Sequence, residues 1–351
     1  MRVFVVGGTH FIGPWVVQQL ASAGQSVAVF HRGITEHPAL LRVPHFHGDR
    51  SDQETLTASV HEWNPDIVID MVAGSERHAQ ILLESVRGVA RRVVVASSMD
   101  VYQAYGRIHG TELGPLQPTP LTEDSALRSA WYPYRNESEG ENDPLYHYEK
   151  IFVERTIMND PTVLGTVLRF PMVYGPGDYQ HRLFPYLKRM VVDRRPVIIL
   201  DRPGSAWRAS RAYVANVAHA VALAVTNERA RGHIYNVSEI AYSEAEWVQR
   251  IAQVVGYAGR IVIVSADDSL ASPPQDWTLD ASRIRAELGY HARVAGGLQL
   301  PGRRRAFGQI PRADLTPRRH AVRAILGSST RAAGDRSLNL GGVCCRSADP
   351  P

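Results

Sequence analysis

The chain has 351 residues, 44% of them hydrophobic and 21% charged, with 39 Lys+Arg against 35 Asp+Glu. That length supports a full α/β core, and the composition excludes a collagen, a wholly disordered chain and a small disulfide-stapled scaffold. No stretch approaches the roughly 18 unbroken apolar residues of a membrane span. The start, Met1 to Gly8, lacks the cationic and long apolar regions of a secretory leader, so a cytoplasmic location is expected.

The charge is uneven. Residues 292–351 hold eleven Arg and three Asp, a balance of +8, which leaves −4 for residues 1–291. Only the tail would attract nucleic acid. Both cysteines, Cys344 and Cys345, also lie in the tail, so the body has no thiol for a disulfide, a nucleophile or a Cys-ligated zinc, and no metal site is expected. The only two lysines are Lys150 and Lys188.

Residues 2–6 form a nearly continuous apolar run, as expected of a strand buried on both faces. Gly7-Gly8-Thr9-His10-Phe11-Ile12-Gly13 follows, then Pro14 and apolar positions at Val16, Val17, Leu20 and Ala23. Pro14 as the first helical residue and Gly24 just past the last predict a helix of about three turns. Val27–Phe30 is a second strand, completing one βαβ unit. Strands at Asp66–Asp70 and Arg92–Ala96, with a helix near His78–Val86 between them, extend a doubly wound parallel sheet of the Rossmann type. Residues 104–145 carry five prolines and many polar groups and read as a long excursion with little regular structure. A helix resumes around Tyr146–Met158, Gly165–Phe170 is a buried strand, and Val214–Thr226 and Ser243–Val255 are helical. The resulting division is a dinucleotide-binding domain over 1–175, a smaller mixed lobe over 176–290 with segments returning to the core, and the tail over 291–351.

A glycine turn between a strand and a helix lets backbone amides at the helix start face a pyrophosphate. His10 stands where the middle glycine of that pattern is usual, and its imidazole either donates to the phosphates or points to solvent. The second strand ends without the carboxylate that would accept from the ribose hydroxyls of NAD. Arg32 there could instead meet a 2′-phosphate, favouring NADP, or could be an ordinary exposed arginine. Asp49 could accept from the adenine amino group or cap a turn.

Tyr146 and Lys150 are spaced i, i+4, which on a helix places phenol and ammonium on one face. A nearby ammonium favours the phenolate and makes it usable as a base. Ser97-Ser98-Met99-Asp100-Val101-Tyr102 follows the Arg92–Ala96 strand and puts hydroxyls at the sheet edge where ligands of open α/β sheets bind.

These motifs, with Leu168-Arg-Phe-Pro-Met-Val-Tyr-Gly-Pro-Gly-Asp178 after them, make the chain similar over residues 1 to about 290 to the extended short-chain dehydrogenases/reductases of the NAD-dependent epimerase/dehydratase family. The resemblance implies NAD(P)(H) as cofactor, Tyr146 as catalytic base or acid, Lys150 on the nicotinamide ribose and Ser98 on the reacting oxygen. It also implies that Ala73, Pro171 and Val173 line the nicotinamide, and that Arg211 contacts a substrate diphosphate unless it is structural. Hydride transfer at a hydroxyl or ketone carbon of a nucleotide-sugar-like or other hydroxylated small molecule follows, as epimerisation or net redox.

Dehydratases of the family carry an Asp-Glu pair after the serine or threonine. Met99-Asp100 stands there, which disfavours 4,6-dehydration and leaves Asp100 as a candidate substrate contact. In the excursion, Arg128, Trp131, Tyr132, Tyr134 and Arg135 form either a lid or a solvated loop. The tail stays open between a disordered appendage, a shifted reading frame and an arm for an anionic partner. A homodimer is compatible with the family. The competing function is a nucleotide-binding protein with lost or secondary redox activity, associated with RNA, since the glycine motif also resembles the chloroplast stem-loop-binding proteins.

Overall fold

The computed structural model describes residues 1–265 and 275–294; the remaining residues, including nearly all of the basic tail and both cysteines, lie outside that range. The elements follow the apolar runs. Strand β1 (Arg2–Val6) leads through the glycine turn into helix α1 (Ile12–Ser22), then β2 (Ser26–His31), β3 (His45–His47), α2 (Gln53–Trp63), β4 (Ile67–Asp70), α3 (Glu76–Val86) and β5 (Arg92–Ser98). A short helix α4 (Gln103–Ile108) opens the excursion, which is otherwise nearly without regular structure until α5 (Lys150–Met158) and β6 (Leu164–Phe170).

The central sheet has seven strands in the order His233–Asn236, β6, β5, β4, β1, β2, β3, and every neighbouring pair is parallel. Alternation along β1 feeds two cores. Val3 and Val5 join α1 and helix Val214–Thr226 on one face, whereas Phe4 and Val6 join the layer containing α2 and α3 on the other. A strand buried on both faces has no polar alternation, which is why the runs read as continuous. The chain leaves β3 at the sheet edge and crosses back over β1 to form β4. That reversal opens a crevice at the carboxyl ends of β1 and β4, the usual ligand position in open α/β sheets.

After β6 the chain builds small two-stranded pairs: Met172–Tyr174 with Arg211–Tyr213, Val197–Asp201 with Arg260–Val264, and Arg208–Ala209 with Tyr242–Ser243. Helix Glu244–Val255 starts at a Ser243/Glu246 capping box, in which each side chain satisfies the other's backbone amide.

Two expected boundaries shift. Helix α1 begins at Ile12 rather than Pro14. Proline is tolerated at the third position because the first amides of a helix have no internal acceptor. Helix α5 begins at Lys150, so Tyr146 is not on it. Asp143 turns the chain ahead of the helix, its carbonyl accepting from Tyr146 N at 2.9 Å and its carboxylate from Leu145 N at 2.9 Å. Glu149 then caps α5 in an extended conformation (φ −155°, ψ 98°), and its carboxylate is held by the fully buried Arg128 guanidinium at 2.9 and 3.2 Å.

Farther along α5, Glu154 accepts from Arg169 of β6 at 2.7 Å and from the Ser97 hydroxyl of β5 at 2.5 Å. Arg169 also donates to the Tyr102 hydroxyl at 2.9 Å, and that hydroxyl donates to Asn236 at 2.7 Å. This buried network fixes the helix that carries Lys150 against three strands. Removing one partner leaves an uncompensated buried charge, so Arg169→Ala should lower unfolding free energy by about 3–5 kcal/mol in urea denaturation. A loss below about 1 kcal/mol would show that the pair does not anchor α5.

Candidate active site

The glycine turn is a cradle that side chains would fill. A Cβ at Gly13 would come within 2.5 Å of the Gly8 backbone, and one at Gly7, where φ is +82°, within 2.5 Å of Val72. Helix α1 has no side-chain cap and no acidic residue in its first turn, which leaves its positive dipole end open to an anion, while Gly13 N donates to the His10 carbonyl at 3.0 Å and Pro14 has no N–H. Gly7, Gly8, buried Thr9, Phe11, Ile12 and Gly13 therefore form a shape that fits a pyrophosphate. His10 is exposed, and its ring lies 5.2 Å from that of Tyr179. Arg32 is exposed at the end of β2. Asp49 accepts from Ser51 N at 2.8 Å, the turn-capping role.

Beyond β4 and β5 the polar groups converge. Lys150, buried at the start of α5, donates from Nζ to the carbonyl of Ala73 at 2.6 Å and to that of Ala96 at 2.7 Å. Burial pulls its pKa down to about 8, against the opposing pull of Asp70 and Asp100. Asp70 is fully buried; it pairs with Arg50 and accepts from Val72 N at 2.8 Å. Ser98 Oγ accepts from Asp100 N at 3.2 Å, and its own proton goes to the Tyr148 hydroxyl oxygen.

The phenol at this point is Tyr148, not Tyr146. Tyr148 donates to Asp100 Oδ2 at 3.0 Å, bonds with Ser98, and its ring lies 5.8 Å from Lys150 Nζ. Tyr146 instead packs against the Arg135 guanidinium, 4.6 Å from its ring centroid, and against His147. The expected i, i+4 face is replaced because the turn at Asp143 and the anchored cap at Glu149 stop the helix one turn short. Burial pushes the Tyr148 phenol well above its ordinary range, and the Asp100 carboxylate adds to the effect. Asp100 is itself raised by burial, offset by Arg128 and by the two tyrosines that donate to it, Tyr134 and Tyr148.

The excursion packs against the site through several of its side chains. Arg128 reaches from it to Glu149 and to the Asp100 carbonyl, and Tyr134 donates to Asp100 at 3.0 Å. Arg135 stacks on Tyr132 at 3.8 Å, and Trp131 meets Phe152 at 5.0 Å. Ala73 and Pro171 are buried, and Val173 accepts from Arg182 at 2.9 Å. Arg211 is engaged by Glu244 at 2.5 Å and lies over Trp247, with one terminal nitrogen lacking a partner among the described residues.

The sequence reading missed Tyr148, and it named Tyr134 and Arg128 only as members of a lid or a solvated loop. It also missed a cluster of His31, Glu36, His45 and His47 at the sheet edge. The His-Phe-His alternation of β3 was the available signal for that cluster. No helix among the described residues is long and apolar enough to cross a membrane.

A family model described as NAD dependent epimerase/dehydratase family matches residues 3–238. A curated relative from Streptomyces kanamyceticus, named 2′-dehydrokanamycin reductase, is 30% identical over 249 residues, which is 68% of this chain and 62% of that protein. The chloroplast stem-loop binding protein of 41 kDa b from Arabidopsis thaliana is 23% identical over 69% of this chain and 59% of its own length. The chain thus spans about three fifths of each of these relatives. A solved UDP-glucose 4-epimerase from Thermus thermophilus, in complex with NAD, superposes with a TM-score of 0.60 at 22% identity, covering 84% of this chain and 94% of that one.

The depressed lysine has a consequence for stability. With a native pKa near 8 and an unfolded value of about 10.4, the unfolded chain binds more protons between those limits. The stability penalty of burying Lys150 is therefore complete below pH 8 and is relieved as pH rises from about 8 toward 10. Urea unfolding of wild type against Lys150→Met should show their difference shifting in favour of wild type across pH 8–9.5. A constant difference would mean that the ammonium is not perturbed.

Proposed function

Because the chain belongs to the NAD dependent epimerase/dehydratase family, we propose that it is a nicotinamide-dependent reductase of a ketone on a hydroxylated, sugar-like small molecule. The observation that carries this reading is the half-buried, protonated Tyr148 phenol set beside Ser98 and Asp100 at the end of β5. A phenol whose pKa is raised stays protonated near neutral pH, so the resting site holds a proton that can pass to an oxygen on which negative charge develops. The relative from S. kanamyceticus, named for a reduction, agrees with that direction. The wider family repertoire, including epimerisation, needs the same groups acting in both directions.

The residues present fit the cofactor. The glycine turn and the start of α1 would take the pyrophosphate, Lys150 the nicotinamide ribose, and Ala73, Pro171 and Val173 the ring. When bound, the nicotinamide supplies the hydride. Ser98, whose proton serves the Tyr148 hydroxyl in the resting site, would turn it to the substrate oxygen and hold that oxygen in place. Tyr148, whose proton is directed at Asp100 in the resting site, delivers that proton to the same oxygen. Asp100 keeps the phenol protonated until the oxygen arrives, and Lys150, held by two carbonyls, fixes the positive charge beneath the site. Arg32, exposed at the end of β2, supports a preference for NADP through charge pairing with a 2′-phosphate.

A second phenol competes for the acid role, because Tyr146 has the four-residue spacing to Lys150 and would overlie it if α5 extended by one turn. Two phenylalanine variants separate them. Tyr148→Phe should slow NADPH-dependent ketone reduction by at least about 100-fold while NADPH affinity changes less than about twofold, and Tyr146→Phe should stay near wild type. The reverse pattern would assign the acid to Tyr146, and two fully active variants would remove a tyrosine acid altogether. Fluorescence titration should also show NADPH binding more tightly than NADH, with Arg32→Ala losing about tenfold for NADPH alone. Equal affinities in wild type would contradict the NADP preference.

A further inference from the structure

The edge of the sheet carries a second cluster of chemically capable groups, remote from the acid-base residues. Strand β3 reads His45-Phe46-His47, and side chains of a strand alternate between faces. Phe46 points into the core beside Phe4 and Trp63. His45 and His47 must then share the opposite face. The parallel register sets Val29 against His45 and His31 against His47, which puts His31 on that face too. The segment joining β2 to β3 brings Glu36 over the same spot. Its carboxylate oxygens stand 3.8 Å from His45 Nδ1 and 3.8 Å from His47 Nε2.

The four ligand atoms all lie within 4.8 Å of one another. Four ligands around zinc at about 2.0–2.1 Å are separated by about 3.3 Å in a tetrahedron, so small side-chain rotations bring this set to coordination distance. One imidazole is already oriented as a metal-bound histidine would be. The outer nitrogen of His45, Nε2, meets the Leu40 carbonyl at 3.0 Å. It donates there, which leaves Nδ1 as a lone pair facing the cluster. That lone pair now accepts from His31 Nε2 at 2.8 Å. An ion would take the place of this shared proton, which would move to His31 Nδ1 as the ring changes tautomer, so that Nδ1 no longer accepts the 3.2 Å bond from Gly33 N. Gly33, at φ +74°, lies in the left-handed region that glycine adopts readily. Three imidazoles and one carboxylate match zinc-type cations; magnesium and calcium require oxygen-rich sites.

We propose that His31, Glu36, His45 and His47 form a binding site for one divalent transition-metal ion, which clasps the three-residue edge strand β3 to the end of β2. The site draws on none of the groups assigned to proton transfer.

The test uses the full chain with Cys344→Ser and Cys345→Ser, so that tail thiols cannot take up metal. Calorimetric titration with Zn²⁺ should give one equivalent bound per chain, and Co²⁺ should develop a visible absorption band of a four-coordinate site. His47→Ala, at an exposed position whose loss leaves the core intact, and Glu36→Gln should each weaken Zn²⁺ binding by at least about tenfold. His61→Ala, an exposed histidine on α2 outside the cluster, should leave it unchanged. Circular dichroism of the metal-free variants checks their folding. Absence of stoichiometric Zn²⁺ uptake by the parent chain, or uptake by the His47→Ala and Glu36→Gln chains with unchanged affinity, would overturn the proposal.

Discussion

A buried ammonium group organises the crevice. Lys150 sits at the first residue of α5 with its Nζ held by the carbonyls of Ala73 and Ala96, which lie beyond β4 and within β5. Taking a lysine out of water is costly unless its protons are satisfied and opposite charge is near. Here the two carbonyls satisfy the donors, while Asp70 and Asp100 offset the burial that depresses the group. Everything around the site can be read as the condition for keeping that cation in place. Arg169 and Glu154 lock the helix to the sheet, Arg128 and Glu149 fix its first turn, and Arg50 holds Asp70.

The same condition explains why the phenol nearest the site is Tyr148. The Glu149 carboxylate serves at once as helix cap and as partner of Arg128. That double engagement ends α5 at Lys150 and leaves Glu149 extended behind a turn over residues 144–147, in place of a helical face. In an extended segment alternate residues share a side, so a tyrosine two positions before Lys150 can face it. The spacing rule that pointed to Tyr146 is sound for a helix, and it fails because a long-range ion pair decides where the helix starts.

Much of the framework was legible from local pattern. The apolar runs at residues 2–6, 27–30, 66–70, 92–96 and 165–170 all lie within or across strands of the sheet. The glycine turn sits where strand and helix signals met, and helix Val214–Thr226 has the boundaries that its apolar pattern gave. What could not be read were features created by distant partners. Arg128 is a surface residue by composition and a fully buried one in the fold. Tyr134 read as part of a lid or a solvated loop, and its hydroxyl reaches Asp100 across 34 positions. The histidine cluster depends on a register between β2 and β3 that neither strand encodes alone.

With only two lysines in the chain, the central cation can be observed directly. Selective ¹⁵N labelling of lysine, with a Lys188→Arg variant to leave a single signal, would follow the Lys150 side chain by NMR through a pH titration. A midpoint near 8 is expected from its burial. A midpoint at about 10.4, the value of a freely hydrated lysine, would contradict a buried ammonium as the organiser of this site.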